Sequence, residues 1–261
     1  MTESVVIVQE GHTLVITINR PEVRNAVDMS VCLAIGDALE DAEQDRDIRT
    51  VVLTGAGEQA FCSGADLKAI ARGEPIIPPG REAWGLAGYV NHPISKPTIA
   101  AVNGLALGGG TELALASDLI VASENAVFGL PEVKRGRVAG AGGAFRWTRQ
   151  LPERLALELL LTGGSLSAEA ALEHHLVNRV VPADRVRAEA LLLADAIGAN
   201  GPVAVQATKR IAKGISDGSV PAEAGLWEHT AREAAAVNAS DDAREGLAAF
   251  AEKRAPQWTG R

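Results

Sequence analysis

The chain has 261 residues, with 25 Lys and Arg against 33 Asp and Glu, so its formal charge is −8. Hydrophobic residues at 47% and charged residues at 22% are ordinary for a globular protein and exclude wholesale disorder. The acidic balance argues against a nucleic-acid partner, because phosphate affinity requires a basic footprint.

Residues 5–8 and 14–19 read as two short strands around the Glu10-Gly11 turn. Helical spacing follows over 30–43, with Val31, Ala34, Ile35, Ala38, Leu39 and Ala42 on one face. Residues 50–54 form a β-branched run ending at Gly55, 98–102 form another ending at Asn103-Gly104, and 118–122 form a third. Strands alternating with helices predict an α/β architecture. From Pro182 onward strand patterns stop, and residues 183–199, 202–215, 222–238 and 241–253 all carry helical patterns. Pro182, Pro202 and Pro221 stand at helix starts, where a missing N–H costs nothing. The expected division is an α/β body over 1–181 and a helical region over 182–261.

The first residues carry an acid where a secretory leader is basic, and the apolar run at 5–8 is too short for a leader core. The longest uncharged stretch, 97–111, is glycine-rich and too short to span a bilayer. Two cysteines, Cys32 and Cys62, make no disulfide framework. A cytoplasmic protein without a membrane partner is the expectation.

Several catalytic signatures are absent from the sequence, including G-x-x-x-x-G-K-[ST], G-x-S-x-G and H-E-x-x-H. No Cys/His set has metal-ligand spacing, so no metal site is expected; adjacent His174 and His175 point apart on a helix. Both glycine clusters miss the dinucleotide G-x-G-x-x-G spacing.

Glycine's 27 occurrences are about 10% of the chain, against roughly 7% in average usage. The excess is concentrated at Gly104–Gly110 and Gly136–Gly143, and each cluster adjoins a carboxylate. Gly108, Gly109 and Gly110 follow a strand and precede an apolar helical run, placing Glu112 in the first helical turn. Such a junction exposes N–H groups at a helix N-terminus that favours negative charge. Glu132 follows Pro131 ahead of Gly136 and Gly140. Two glutamates at glycine-rich turns form a general acid/base pair if the fold joins them; otherwise one is a helix-dipole partner and the other a surface turn residue. A third exposed-amide element is SGAD, Ser63 to Asp66, which closes a loop and opens a helix ahead of Lys68. Cys62 has no histidine nearby in sequence and reads as a small packed residue.

Together these segments resemble the enoyl-CoA hydratase/isomerase (crotonase) superfamily. The resemblance rests on RPEVRNAV (20–27), AFCSGADL (60–67), KPTIAAVNGLALGGGTELALASDLIVA (96–122) and FGLPEVKRGRVAGAGG (128–143). It continues through LTGGSLSAEAAL, LVNRVVP and DDAREGLAAFAEKRAPQW, covering nearly the whole chain in order. It implies a spiral of ββα repeats and a helical C-terminal region that trimerises, giving a homotrimer or a dimer of trimers. It also implies an oxyanion hole made by the N–H groups of Ala65 and Gly109. Glu112 would activate water, Glu132 would exchange a proton at Cα, and the Gly140 N–H would help hold that water.

The implied reaction is reversible hydration of a trans-2-enoyl-CoA without metal or redox cofactor, coenzyme A entering as part of the substrate. Alternatives on the same scaffold are double-bond isomerisation and dehydration of a polar hydroxyacyl-CoA, such as a carnitinyl or branched-chain derivative. A non-catalytic acyl-CoA-binding protein is a third reading. Substrate contacts are expected from Arg24, Ala26, Ser63, Asp66, Leu67, Lys68 and Gly108, with Trp84 in a loop and helix over the acyl chain. Lys253 is a further candidate for coenzyme A, reaching in from another subunit. Arg137 and Ala139 depart from the uncharged residue and proline common in hydratases, and Arg137 reads as a surface cation or a contact to a polar acyl group.

Overall fold

The structure, a computed structural model, describes residues 3–261. Met1 and Thr2, the start of the segment expected to hold no leader, lie outside the described residues. Strands β1 (Val5–Glu10) and β2 (Thr13–Ile18) pair antiparallel around the predicted turn. Helix α1 (Met29–Gln44) is capped by Asp28, whose Oδ1 accepts the Val31 N–H at 3.1 Å. Its predicted apolar face is buried at Val31, Ile35, Ala38, Leu39 and Ala42.

From there one unit recurs. β3 (Thr50–Gly55), β4 (Ala60–Cys62) and α2 (Leu67–Ala71) form its first copy. β5 (Thr98–Val102), β6 (Leu105–Leu107) and α3 (Gly109–Ala116) form its second. β7 (Leu119–Ser123), β8 (Val127–Gly129), a 3₁₀ turn over Pro131–Arg135 and α4 (Gly143–Gln150) form its third. α5 (Glu153–Thr162), β9 (Ser165–Ser167), α6 (Ala168–Glu173) and β10 (Arg179–Val181) follow. In each unit the first strand joins a six-stranded sheet ordered β1-β2-β3-β5-β7-β10, and the second joins a four-stranded sheet ordered β4-β6-β8-β9. The fold is α/β, as the strand and helix patterns predicted, with the ββα repeats that the resemblance implied. Because successive units place parallel strands side by side, the strand-to-helix junctions that end β4 and β6 also lie side by side.

Among the described residues no strand follows β10; the chain ends in α7 (Val186–Gly198), α8 (Pro202–Lys213), α9 (Pro221–Asn238) and α10 (Asp241–Glu252). Val186, Ala190 and Ala194 of α7 bury against Val15, Val52, Ile99 and Val121, so α7 closes one face of the six-stranded sheet. No single helix among the described residues is long and apolar enough to cross a membrane.

Two local expectations need correction. α6 ends at Glu173, so His174 and His175 lie beyond the helix, with His175 in a left-handed conformation (φ 59°). The segment before β5 forms two short 3₁₀ turns, Glu82–Trp84 and Leu86–Gly88, rather than an α-helix. Trp84 is 6% exposed, lies against Gly36 of α1 and stacks on His92 at 5.1 Å. A methyl group on Gly36 would lie 2.2 Å from the indole, so the tight fit of ring on helix fixes this segment to the body.

Candidate active site

The site is built where β6 turns into α3. Gly108 precedes the helix with φ 55° and ψ −124°, a conformation that suits a residue without Cβ. Its N–H donates to Gly129 O at 2.8 Å, which ties the turn to β8. Thr111 completes the tie: its buried hydroxyl donates to Ala106 O at 2.6 Å and accepts the Gly129 N–H at 2.9 Å. Sequence reasoning passed over Thr111, because its partners lie on two other strands.

Gly109 opens α3, and neither its N–H nor that of Ala65 has an acceptor among the described residues. The two amides are neighbours: a Cβ placed on Gly64 would sit 2.9 Å from Gly109 N, and one on Gly109 would sit 3.5 Å from Ala65 N. Ala65 also bridges to Val27, but that bridge uses the Gly64 carbonyl and the Asp66 N–H, leaving the Ala65 N–H unused. Two free amide donors side by side at a helix N-terminus suit an oxygen that gains negative charge.

Glu112 lies in the first turn of α3 as predicted, 3% exposed. Its Oε1 accepts two backbone N–H bonds, from Ala141 at 2.7 Å and Gly143 at 2.8 Å, at the start of α4. The Gly140 N–H has no acceptor among the described residues, and Gly140 is exposed beside this turn. Glu132 approaches from the 3₁₀ turn; a Cβ on Gly108 would lie 3.0 Å from its Oε1. Its Oε2 is buried without a partner among the described residues. The turn carrying Glu132 is backed by α10, where a Cβ on Gly246 would meet Arg135 O at 2.2 Å. Arg135 also lies over the Phe250 ring at 3.7 Å. The fold therefore brings both glutamates to the amide pair, with the C-terminal helix supporting one of them.

Burial pushes both carboxyls well above the ordinary value of 4.5, and the charge of Glu132 adds to the effect at Glu112. Two N–H donors favour the charged form of Glu112, whereas the unpartnered Glu132 Oε2 favours the protonated form of its group. Burial thus keeps both groups protonated over more of the pH range than exposed carboxyls. The two amides mark Glu112 as the one whose ionised form the site supports.

These raised values destabilise the fold as pH increases, because native carboxyls hold protons that the unfolded chain has released. Stability from this source is present below pH 4.5 and declines from there through neutral pH. Glu112→Gln is therefore expected to be more stable than wild type by about 2 kcal/mol at pH 8. That corresponds to a melting temperature roughly 4–8 °C higher. The gain should vanish below pH 4.5, and calorimetry across the pH range checks both the sign and the window.

The remaining predicted residues surround this centre in different ways. Arg24 and Lys68 are exposed and form no ion pair among the described residues. Arg24 and Asn25 border an open depression with Pro21, Gly57 and Gln59. Ser63 donates its N–H to Arg24 O at 3.0 Å, so it shapes this rim. Ala26 is buried and its carbonyl accepts Arg20 Nη1 at 2.6 Å. Asp66 caps α2, accepting the N–H groups of Lys68 and Ala69, and Leu67 begins that helix half-buried. Asp66 also pairs with Arg20 at 3.1 Å, and these contacts hold its carboxyl below the usual range despite partial burial.

Arg20 is the residue that sequence reasoning overlooked: it pairs with Asp28 as well, tying three segments around the rim. Lys253, left-handed at φ 55°, is exposed at the end of α10. Arg137 is half-buried without an ion-pair partner among the described residues. Leu86 reaches the amide pair, its Cδ2 2.3 Å from where a Cβ on Gly109 would stand. Cys62 is fully buried with its thiol pushed up to about 12, a packed residue and not a nucleophile. Among the described residues no three His, Cys, Asp or Glu side chains converge as a metal site.

A family model for enoyl-CoA hydratase/isomerase matches residues 9–261. The carnitinyl-CoA dehydratase of Salmonella typhi is 42% identical over 268 aligned residues, covering all of both chains. A crystal structure of carnitinyl-CoA hydratase from Mycobacterium avium superposes with a TM-score of 0.99 at 55% identity, covering all of both chains. A structure of a carnitinyl-CoA dehydratase from Mycobacterium avium 104 does so with a TM-score of 0.96 at 56% identity, again over both full chains. With its two glutamates and paired amides set in this fold, the chain belongs to the enoyl-CoA hydratase/isomerase family, as a hydro-lyase acting on acyl-CoA thioesters.

Proposed function

We propose that this protein adds water reversibly across the 2,3 double bond of a trans-2-enoyl-CoA, and that its cellular substrate pair has a polar, carnitinyl-type acyl group. The observation that carries the reaction is the convergence of Glu112 and Glu132 on the free amides of Ala65 and Gly109. In hydration, the Glu112 carboxylate takes a proton from a water held by the Gly140 N–H as the water oxygen bonds to Cβ. The π electrons move toward the thioester oxygen, which the two amides stabilise as an enolate. Glu132 then delivers its proton to Cα and the thioester carbonyl reforms. Dehydration runs the same steps backwards. The atoms balance with two carboxyls and one water, and no redox cofactor is required. The acyl preference rests on the relatives named for carnitinyl-CoA.

Purified protein should bleach the conjugated-enoyl absorbance of the 4-trimethylammonio-2-enoyl thioester with a larger kcat/KM than crotonyl-CoA. Equal or better use of crotonyl-CoA would return the substrate to a simple enoyl-CoA. Tight acyl-CoA binding without turnover of either would leave a binding protein.

Coenzyme A is anchored in this reading by Arg24 and Lys68 at the rim, with Lys253 contributed by a neighbouring copy. Arg24→Ala should raise KM about threefold to tenfold at low salt while leaving kcat nearly unchanged. The difference should shrink as ionic strength rises and screens exposed charges. Initial rates at two salt concentrations test this. The neighbouring copy belongs to a homotrimer or a dimer of trimers assembled through the C-terminal helices. Supporting this, α8 and α9 bury no residue completely within the chain, and Val203 and Ile211 are 79% and 82% exposed. Since α7 packs on the sheet, the assembling part of 182–261 begins at α8. Light scattering separates three copies from six. A cytosolic setting fits the two cysteines, which remain free thiols.

A further inference from the structure

The carboxylate of Glu112 is held by the turn Ala141–Gly142–Gly143, and that turn is clamped from outside the catalytic loops. Arg146, on the first turn of α4, lies beneath it with its side chain 12% exposed. Its Nη1 donates to Val90 O at 2.7 Å and its Nη2 to Glu223 Oε2 of α9 at 2.8 Å. Trp227, one turn further along α9, presses the six-membered ring of its indole on Gly142. A Cβ on Gly142 would lie 2.9 Å from Trp227 and 3.2 Å from the Arg146 guanidinium, so the two side chains flank the turn. Phe145 meets Trp227 edge-on at 5.2 Å, and the Arg146 cation lies 5.2 Å from the Trp227 ring. The Trp227 Nε1–H has no partner among the described residues, so packing rather than a hydrogen bond holds the ring there. Further along α9, Ala234 lies 3.8 Å from a Cβ placed on Gly140.

We propose that Arg146, Glu223 and Trp227 form a positioning unit through which α9 orients the Ala141 and Gly143 amides on Glu112. None of the three is a catalytic residue in this proposal; each acts through the turn. The inference rests on the assignment of Glu112 as the base. An amide pair aimed at one carboxylate oxygen loses effect quickly with angle, and a turn free to rock would let Glu112 regain its proton. The charged groups facing Glu112 are Glu132 from the 3₁₀ turn and Arg146 from α4. Arg146 favours the ionised carboxylate, and Glu223 partly neutralises Arg146. Arg149 shares Glu223 at 3.4 Å from a more exposed position.

The test is the pH dependence of kcat/KM for hydration in Arg146→Gln, Glu223→Gln and Trp227→Phe, with Arg146→Lys and Glu223→Asp as conservative partners. Arg146→Gln should lower kcat about tenfold or more with KM changed less than threefold. It should also move the acid limb upward by about half a pH unit or more. Glu223→Gln should lower kcat while moving that limb downward, because Arg146 keeps its charge without a counter-ion. Trp227→Phe should lower kcat with little displacement of the limb, and Glu223→Asp should recover activity to within about threefold of wild type. Wild-type kcat and an unmoved acid limb in both charge variants would overturn the proposal. So would losses confined to KM, or losses that follow the folded fraction alone and that Glu223→Asp does not restore. Glu112→Gln serves as control: if it keeps wild-type activity, the assignment of the base fails, and the positioning unit fails with it. If that control is inactive but the charge variants match wild type, only the positioning unit fails.

Discussion

Glu112→Gln is expected to lower kcat for hydration by about 10³-fold, in the middle of the range for loss of a positioned general base. The glutamine keeps an oxygen that accepts the Ala141 and Gly143 amides, so the turn and the fold are preserved while the base is lost. Glu132→Gln is expected to cost a comparable factor for a different reason. It removes the group that exchanges a proton at Cα and leaves the water-activating carboxylate in place. Deuterium exchange into Cα of a saturated acyl-CoA separates the two roles. Exchange should persist in Glu112→Gln and disappear in Glu132→Gln. The double variant should fall little below either single one, because the two groups serve one transition state and their losses are not additive. Loss of enoyl absorbance on mixing with substrate gives the rates. A double variant that bleaches at the wild-type rate would remove both carboxyls from the mechanism.

Much of this centre could be read from sequence because its determinants are local. A glycine run between a strand and an apolar helical pattern places Glu112 on the first turn of α3, and that is where it lies. The strands over 50–55 and 98–102 are β-branched runs ended by turn residues, which sequence periodicity detects. The three-residue strands β4, β6, β8 and β9 are too short to display alternation, although they carry the junctions where the amides sit. The packing of Trp84 on α1 was hidden for a related reason. In a segment with no periodicity, nothing in the sequence states which side an aromatic ring faces, and Gly36, which receives it, lies 48 residues away. Arg20 pairs with Asp28 and Asp66, and Arg146 with Glu223, partners separated by as many as 77 residues. Such pairs exist only after the sheets have stacked the repeats. Local chemistry therefore identifies the reacting groups, whereas their supports depend on topology.

Gly64→Ala should reduce kcat about 10²–10³-fold, the usual cost of losing an oxyanion-hole donor. A side-chain substitution cannot delete a backbone N–H except by introducing proline, so the donor must be blocked instead. The added methyl group would stand 2.9 Å from Gly109 N and 3.2 Å from Leu107 O, occupying the space the thioester oxygen needs. Gly64 also has φ +91°, so alanine there carries backbone strain of about 1–3 kcal/mol and the melting temperature should fall. Loss of stability alone could imitate loss of function, and Gly11→Ala provides the comparison. Gly11 has φ +58° at the β1–β2 turn, with no atom within 4 Å of an added Cβ, so its variant carries the strain without obstructing the site. Gly11→Ala should lose stability and retain kcat, while Gly64→Ala should lose both. Gly109→Ala should be milder than Gly64→Ala, since its closest obstruction is the flexible end of Leu86 and not a backbone amide. The expected rate order is therefore wild type and Gly11→Ala, then Gly109→Ala, then Gly64→Ala. In calorimetry a saturated acyl-CoA should bind Gly11→Ala as it binds wild type and Gly64→Ala more weakly. That binding loss should be smaller than the loss in kcat, because the hole strengthens its hold mainly as charge develops. If Gly64→Ala turns over as fast as Gly11→Ala at a temperature where both are folded, the Ala65 and Gly109 amides do not hold the oxyanion.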